Sequence, residues 1–406
     1  MSVPGHGPVI SLWDAPTMSG PVLLLYNTPK ARRYFRTLAA NVDSPRLEAH
    51  PLAVFPGPCP RDAEGRRAIA DYSLRRKAAR PHIPPWRQRL FRAVYPGVAA
   101  AHYAHARRLI RMTGASGVAV WGGQAMDVRA ARAAAEDAGL PCHVFETGLL
   151  PRTTTCDPRG VNADSSVPRD PAFYRGLDAD VDLPAHLEQR PGRVEHPRVP
   201  LPESYIFVPF QVRLDSQILL YSPWIRNMRH LFRVMVKAWQ AALAPRGVEL
   251  VFKLHPTCRE RYPDLLDKAD DLPGVHFANG NTTEELIRGA EGVVTINSSV
   301  GLEALLLEKP VLALGEALYA IPGVAEQVRE PGGITAWLRA VADGRPPADD
   351  LRRPFLGWLA RDYCIPGSHR EPGPDHFAAV ARRLAAGDLI APAPDEGAAR
   401  VAVGAG

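Results

Sequence analysis

Residues 292–314 read GVVTINSSVGLEALLLEKPVLAL, and this stretch decides the fold class. Gly292–Ile296 is an apolar run too short for a helix, so it reads as a buried strand. Asn297, Ser298, Ser299 and Gly301 follow as a turn of small polar residues. Gly301–Leu307 has a helical pattern, and Val311–Leu314 is a second buried strand. Strand, turn, helix, strand is a βαβ unit, and strands without polar alternation belong to a parallel sheet covered on both faces. Unpaired N–H groups at the start of such a helix bind anions, and small residues allow close approach. Glu303, one turn in, is placed to accept hydrogen bonds from ribose hydroxyls. The plainer alternative is a serine N-cap with an acidic first turn. The segment is neither GxxxxGK[ST] nor GxGxxG.

The same alternation extends upstream. Tyr205–Phe210 (YIFVPF) is a strand, Ile225–Ala244 a helix, and Glu249–Leu254 (ELVFKL) a strand. Further elements follow: a helix over 259–268, a strand at Val275–Ala278 and a helix at Thr283–Gly289. Downstream, Ile334–Ala342, Pro354–Tyr363 and Asp375–Ala386 have helical patterns. In the first half, Val22–Tyr26, Leu52–Phe55, Gly117–Trp121 and His143–Glu146 read as strands. Ala31–Ala40 and Met126–Ala138 read as helices, and 148–166 reads as a long loop.

The class is therefore α/β, with two facing Rossmann-like domains and C-terminal helices. The divisions are an N-terminal extension (1–19), a first domain (20–190), a linker (191–204), a second domain (205–345), helices at 346–390 that pack back on the first domain, and a disordered tail (391–406).

In such sheets ligands bind beyond the carboxyl ends of the strands. Asp215 follows the first strand of the second domain and could serve as nucleophile, base or turn residue. Lys253 and His255, two apart with Pro256 next, suit a phosphate or carboxylate, or a solvated strand end. In the first domain, Glu146 ends a strand, and the polar loop with Asp157 and Asn162 could hold a hydroxylated substrate.

The chain has 406 residues, 46% of them hydrophobic and 23% charged, enough to build a core and too apolar for a disordered chain. Five scattered cysteines without a CxxC pair argue against a disulfide framework or zinc ribbon and fit a reducing cytoplasm. Neither a signal peptide nor an apolar stretch long enough to span a bilayer is expected. Residues 61–111 hold 13 Lys/Arg against three acids, a local excess of 13 − 3 = +10, with Trp86, Phe91, Tyr95 and Tyr103 interleaved. That block is a solvated helical face, a surface for anionic lipid, or, least supported in the absence of any nucleic-acid-binding signature, a nucleic-acid patch.

Taken together, WGGQ (121–124), ETGLLP and DPRGVN (146–162), QVRLDSQI (211–218), KLHP (253–256), the serine-rich segment at 297–319 and YCIPGS (363–368) resemble the bacterial capsule polysaccharide synthesis/export family of KpsS/KpsC-type Kdo transferases, the shorter KpsS type above all. The resemblance covers roughly 115–370. It implies a GT-B-like fold and retaining transfer of Kdo from CMP-Kdo to a lipid or glycolipid acceptor. Carried over by position, it implies Asp215 as nucleophile. Lys253, His255, Pro256, Ser298, Ser299, Gly301 and Glu303 would hold the nucleotide, and Gln211, Glu146, Asp157 and Asn162 would lie on the substrate side. It implies no cofactor and no metal, a place at the inner face of the cytoplasmic membrane, other capsule assembly proteins as partners, and no nucleic acid. Another CMP-sugar transferase of sialyltransferase-like type, or a non-catalytic assembly or export factor, are the alternatives.

Overall fold

The computed structural model describes residues 20–80, 82–188, 194–258, 260–346 and 349–386. The expected N-terminal extension and the tail lie outside them.

Five strands form most of the first sheet: β1 (Val22–Tyr26), β2 (Leu47–Pro51), β3 (Gly117–Trp121), β4 (Cys142–Thr147) and β5 (Thr153–Asp157). The first four run parallel in the order β2-β1-β3-β4, and β5 returns antiparallel to β4. Helices α1 (Pro29–Asn41), α2 (Ala63–Ala78), α3 (Pro85–Thr113) and α4 (Met126–Glu136) connect them. Helix α1 shows why the sequence turns where it does. Thr28 Oγ1 accepts from the Ala31 N–H (3.2 Å), Pro29 occupies the first turn, and Ala31, Tyr34, Phe35 and Leu38 share the buried face.

The second sheet is parallel throughout. Its strands are β6 (Tyr205–Pro209), β7 (Glu249–Lys253), β8 (Val275–Phe277), β9 (Gly292–Thr295), β10 (Val311–Ala313) and β11 (Glu326–Gln327), in the order β8-β7-β6-β9-β10-β11. The connecting helices are α5 (Ser216–Leu219), α6 (Met228–Ala242), α7 (Pro263–Asp270), α8 (Thr283–Gly289), α9 (Ser299–Leu306) and α10 (Pro331–Ala342). The strand order reverses between β6 and β9, which opens a crevice at their carboxyl ends.

The C-terminal region divides its loyalties. Helix α11 (Arg352–Trp358) packs on the second domain, where Trp358 and Phe355 enclose Tyr174. Strand β12 (Ile365–Pro366) then pairs antiparallel with β5, and α12 (Pro374–Ala385) lies against the first domain. The chain thus forms the expected GT-B-like pair of Rossmann-like domains, with β12 and α12 crossing back.

Three local expectations need correction. The second strand is Leu47–Pro51, not Leu52–Phe55: it pairs with β1 in full register, and the Leu52 N–H only extends the ladder to Tyr26 O (2.7 Å). The stretch 148–166 is not one loop, because the β-branched run Thr153–Thr155 forms β5 against β4. Val167 and Tyr174, expected in the first domain, are buried with side chains of the second.

Candidate active site

A cleft of about 950 Å³ lies at the carboxyl ends of β7, β8 and β9. It is lined by Lys253, His255, Pro256, Ser298, Ser299 and Glu303, six of the seven residues expected to hold a nucleotide. Parallel strands bring them together: β7 ends in Lys253, and α9 starts just beyond β9.

Ser298 caps α9, its Oγ accepting from the Val300 N–H (3.2 Å). Ser299 and Glu303 are one helical turn apart and face the cleft together. The Thr257 N–H donates to His255 Nδ1 (3.2 Å), which leaves the proton of a neutral ring on Nε2. Lys253 Nζ donates to the carbonyls of Asn279 (2.7 Å) and Asn281 (2.6 Å). Burial lowers the pKa of this ammonium, with Glu285 pulling the other way. Lys253 thus brings its charge to the cleft floor while fastening the loop after β8.

Gly301 does not line the cleft. It sits on the buried side of α9, where an added Cβ would fall 2.2 Å from the Tyr319 hydroxyl. That hydroxyl donates to Ser298 O (2.7 Å), so the glycine lets Tyr319 hold the turn before the helix.

Asp215 is exposed and does not line the cleft either. It caps the short helix α5, with Oδ1 accepting from the Gln217 N–H (2.9 Å) and the Ser216 hydroxyl (3.2 Å). Its loop is nevertheless tied to the head of α9. Gln211 Nε2 donates to Asn297 Oδ1 (2.9 Å), and the Asn297 N–H donates back to Gln211 Oε1 (3.2 Å). Asn297 Nδ2 donates to the carbonyls of Gln217 (2.9 Å) and Tyr221 (3.1 Å), and Gln217 Nε2 donates to Asn297 O (3.2 Å). Gln211, expected on the substrate side, is buried within this network.

The other substrate-side residues scatter. Asp157 is fully buried. Its oxygens accept from the N–H groups of Arg159, Gly160 and Ser166 and from the hydroxyls of Ser166 and Tyr363. This carboxylate therefore organises its own loop instead of facing a ligand. Asn162 takes a left-handed backbone (φ 55°), and its carbonyl accepts from the Ser165 hydroxyl (2.7 Å) and Arg169 (3.2 Å). Glu146 stays half-exposed at the end of β4, 3.8 Å from Lys30 Nζ. Lys30 lies over the Trp121 ring (4.3 Å).

The domains meet beside the Asp215 loop. Gln124 Nε2 donates to Tyr221 Oη (2.6 Å), and the Tyr221 hydroxyl donates to Asp164. Arg213 donates to Ala79 O at the end of α2 (2.8 Å) and pairs with Glu260 on the cleft rim (2.9 Å). Burial, then Asp164, raises the Tyr221 pKa, so the phenol stays protonated.

The sequence reading missed Asn279, Asn281 and Thr282 on the cleft wall. Asn281 is buried, donating to Val199 O (3.1 Å) and accepting from the Val199 N–H (3.1 Å). The signal was NGNT at the carboxyl end of β8, where turn residues gather. Among the described residues no cluster of His, Cys, Asp and Glu is arranged to hold a metal.

The family model described as capsule polysaccharide biosynthesis protein matches residues 116–196 and 185–336. The chain belongs to that family. It is 41% identical to protein FixF of Sinorhizobium fredii, over 56% of this chain and 55% of that one. It is 30% identical to the capsule polysaccharide export protein KpsS of Escherichia coli, over 47% of this chain and 64% of that one. The chain thus spans a little over half of these curated relatives. A solved structure titled Thermosulfurimonas dismutans KpsC, beta Kdo 2,7 transferase, superposes with a TM-score of 0.38 at 18% identity, over 68% of this chain and 88% of that one. The matched ranges take in β3 with WGGQ, the Asp215 loop, Lys253–Pro256 and α9.

Proposed function

We propose that the chain is a retaining glycosyltransferase of capsule polysaccharide biosynthesis, moving Kdo from CMP-Kdo to a lipid or glycolipid acceptor at the inner membrane surface. The observation that carries this reading is the gathering of Lys253, His255, Ser298, Ser299 and Glu303 around one cleft at the ends of β7 and β9. A cation, an imidazole and a helix N-terminus suit the phosphate of a leaving nucleotide. A carboxylate beside the ribose hydroxyls suits Glu303. No metal is required if these groups offset the charge that develops on CMP.

Asp215 is the proposed nucleophile. A carboxylate oxygen attacks the anomeric carbon, and the bond to the phosphate oxygen breaks, leaving its electron pair on CMP. An acceptor hydroxyl then attacks the same carbon, loses its proton to a base and frees Asp215. Two inversions leave the configuration unchanged. The Gln211–Asn297–Gln217 network supports this role, since it couples the loop bearing Asp215 to the turn that precedes α9. The exposed, capping position of Asp215 favours a second reading, in which it only stabilises α5.

The test is incubation with CMP-Kdo and an anionic glycerolipid, followed by mass spectrometry of the lipid. A Kdo-sized increase supports the proposal. Conversion with a UDP- or GDP-sugar, or with none, counts against it.

A further inference from the structure

Seven large hydrophobic side chains are exposed among the described residues, and six gather on one face of the first domain: Val54, Phe55, Trp86, Leu90, Val94 and Met112, each 38–67% exposed. At about 100° per residue, positions 86, 90, 94, 97, 101, 108 and 112 of α3 fall within an arc of about 80°. Of the residues α3 buries, Ala99, Tyr103, Ala106 and Ile110 lie on the opposite side, while Ala104 lies within the arc, beneath the loop at Gly57. The Val54–Phe55 loop is clamped to the exposed arc. The Phe55 N–H donates to Ala101 O (3.2 Å), and the Arg108 guanidinium covers the Phe55 ring at 4.7 Å. Arg87 likewise lies over Trp86 at 5.2 Å. Helix α3 carries six arginines and no carboxylate.

We propose that this face is a membrane-docking surface, with Trp86, Leu90, Val94 and Phe55 entering the headgroup region of an anionic bilayer and the surrounding arginines meeting lipid phosphates. An apolar stripe rimmed by cations is the pattern of a helix lying in the membrane interface, and tryptophan favours that depth. Charge complementarity selects the occupant. A second copy would set one arginine-rich helix against another; Trp86 and Phe55 already stack with Arg87 and Arg108, and Leu90, Val94 and Met112 give a base no aromatic face. The surface also stands beside the proposed chemistry. Helix α2, which packs on α3, touches the Asp215 loop through the Tyr72 hydroxyl to Leu214 O (3.1 Å) and Arg75 to Leu219 O (3.4 Å). The proposal gives residues to the membrane part of the reading above and rests on it. Its test needs neither donor nor turnover, so the two fail separately.

The full chain is sedimented with phosphatidylcholine vesicles with and without phosphatidylglycerol, alongside Trp86→Ser/Leu90→Ser and Arg87→Gln/Arg108→Gln. Wild type should pellet with phosphatidylglycerol vesicles alone. The apolar double variant should lose about tenfold or more in partitioning with an unchanged circular dichroism spectrum, and the arginine variant should lose its low-salt binding. The proposal falls if the protein binds neutral vesicles equally or neither kind. It also falls if the apolar variant partitions like wild type, or if that variant abolishes a wild-type dimer seen by light scattering while vesicles are ignored.

Discussion

Gln211 and Asn297 clasp each other through their side chains and backbone at the switch point of the second sheet, Nε2 to Oδ1 at 2.9 Å and N–H to Oε1 at 3.2 Å. Both are buried. Each stands just past a strand that pairs with the other, β6 and β9. The contact makes the Asp215 loop and the start of α9 one mechanical unit.

Asn297→Ala should therefore cost about 1–3 kcal/mol, because it strands the Gln211 amide in the interior. Chemical denaturation reads the loss directly. A midpoint equal to wild type would show that the two loops hold their places without the clasp.

Gly301→Ala should destabilise by roughly 1–3 kcal/mol through overpacking against Tyr319. Tyr319→Phe removes the nearest atom, so the double variant should recover part of that loss. Thermal melts of the four proteins give the coupling, and strict additivity would contradict the packing argument.

His369 is buried between Tyr34 and Trp121 beside Lys30, Arg370 and His376. Burial first, then these cations, pushes its pKa down to about 4. The unfolded chain binds this proton below the ordinary histidine pKa, while the folded chain refuses it until about pH 4. Stability should therefore fall as pH drops through that window. His376 is shifted the same way, chiefly by burial. His369→Gln should flatten the acid limb of a stability–pH profile, and an unaltered limb would assign it elsewhere.

CMP should raise the melting temperature more than UDP or GDP, by the linkage that gives about 2.7 kcal/mol at 100 times Kd. His255→Ala and Ser299→Ala should weaken the shift. A stronger response to UDP would overturn the donor assignment.

Much of the architecture was legible because buried parallel strands have no polar alternation to confuse them. Val22–Tyr26, Gly117–Trp121 and the βαβ unit at 292–313 lie where their apolar runs put them. Strands β11 and β12 escaped because two residues carry no periodicity, and β5 because its run of threonines looks like a polar loop. Within the site, residues at strand ends were readable, since topology alone gathers them. Side-chain direction was not. Only the packed structure turns Gly301 inward to Tyr319, commits Asp157 to its own loop and spends part of Asp215 on a helix cap.

The central claim is that the Asp215 carboxylate becomes covalently bonded to the donor sugar. Intact-protein mass spectrometry after mixing with CMP-Kdo alone, on wild type and on Asp215→Asn, tests it most directly. The account predicts a sugar-sized adduct on wild type, mapped to Asp215, and none on the folded Asp215→Asn protein, whose turnover drops by orders of magnitude while CMP affinity holds. An adduct on another residue, or substantial turnover by Asp215→Asn, would contradict it and leave Asp215 as the cap of α5.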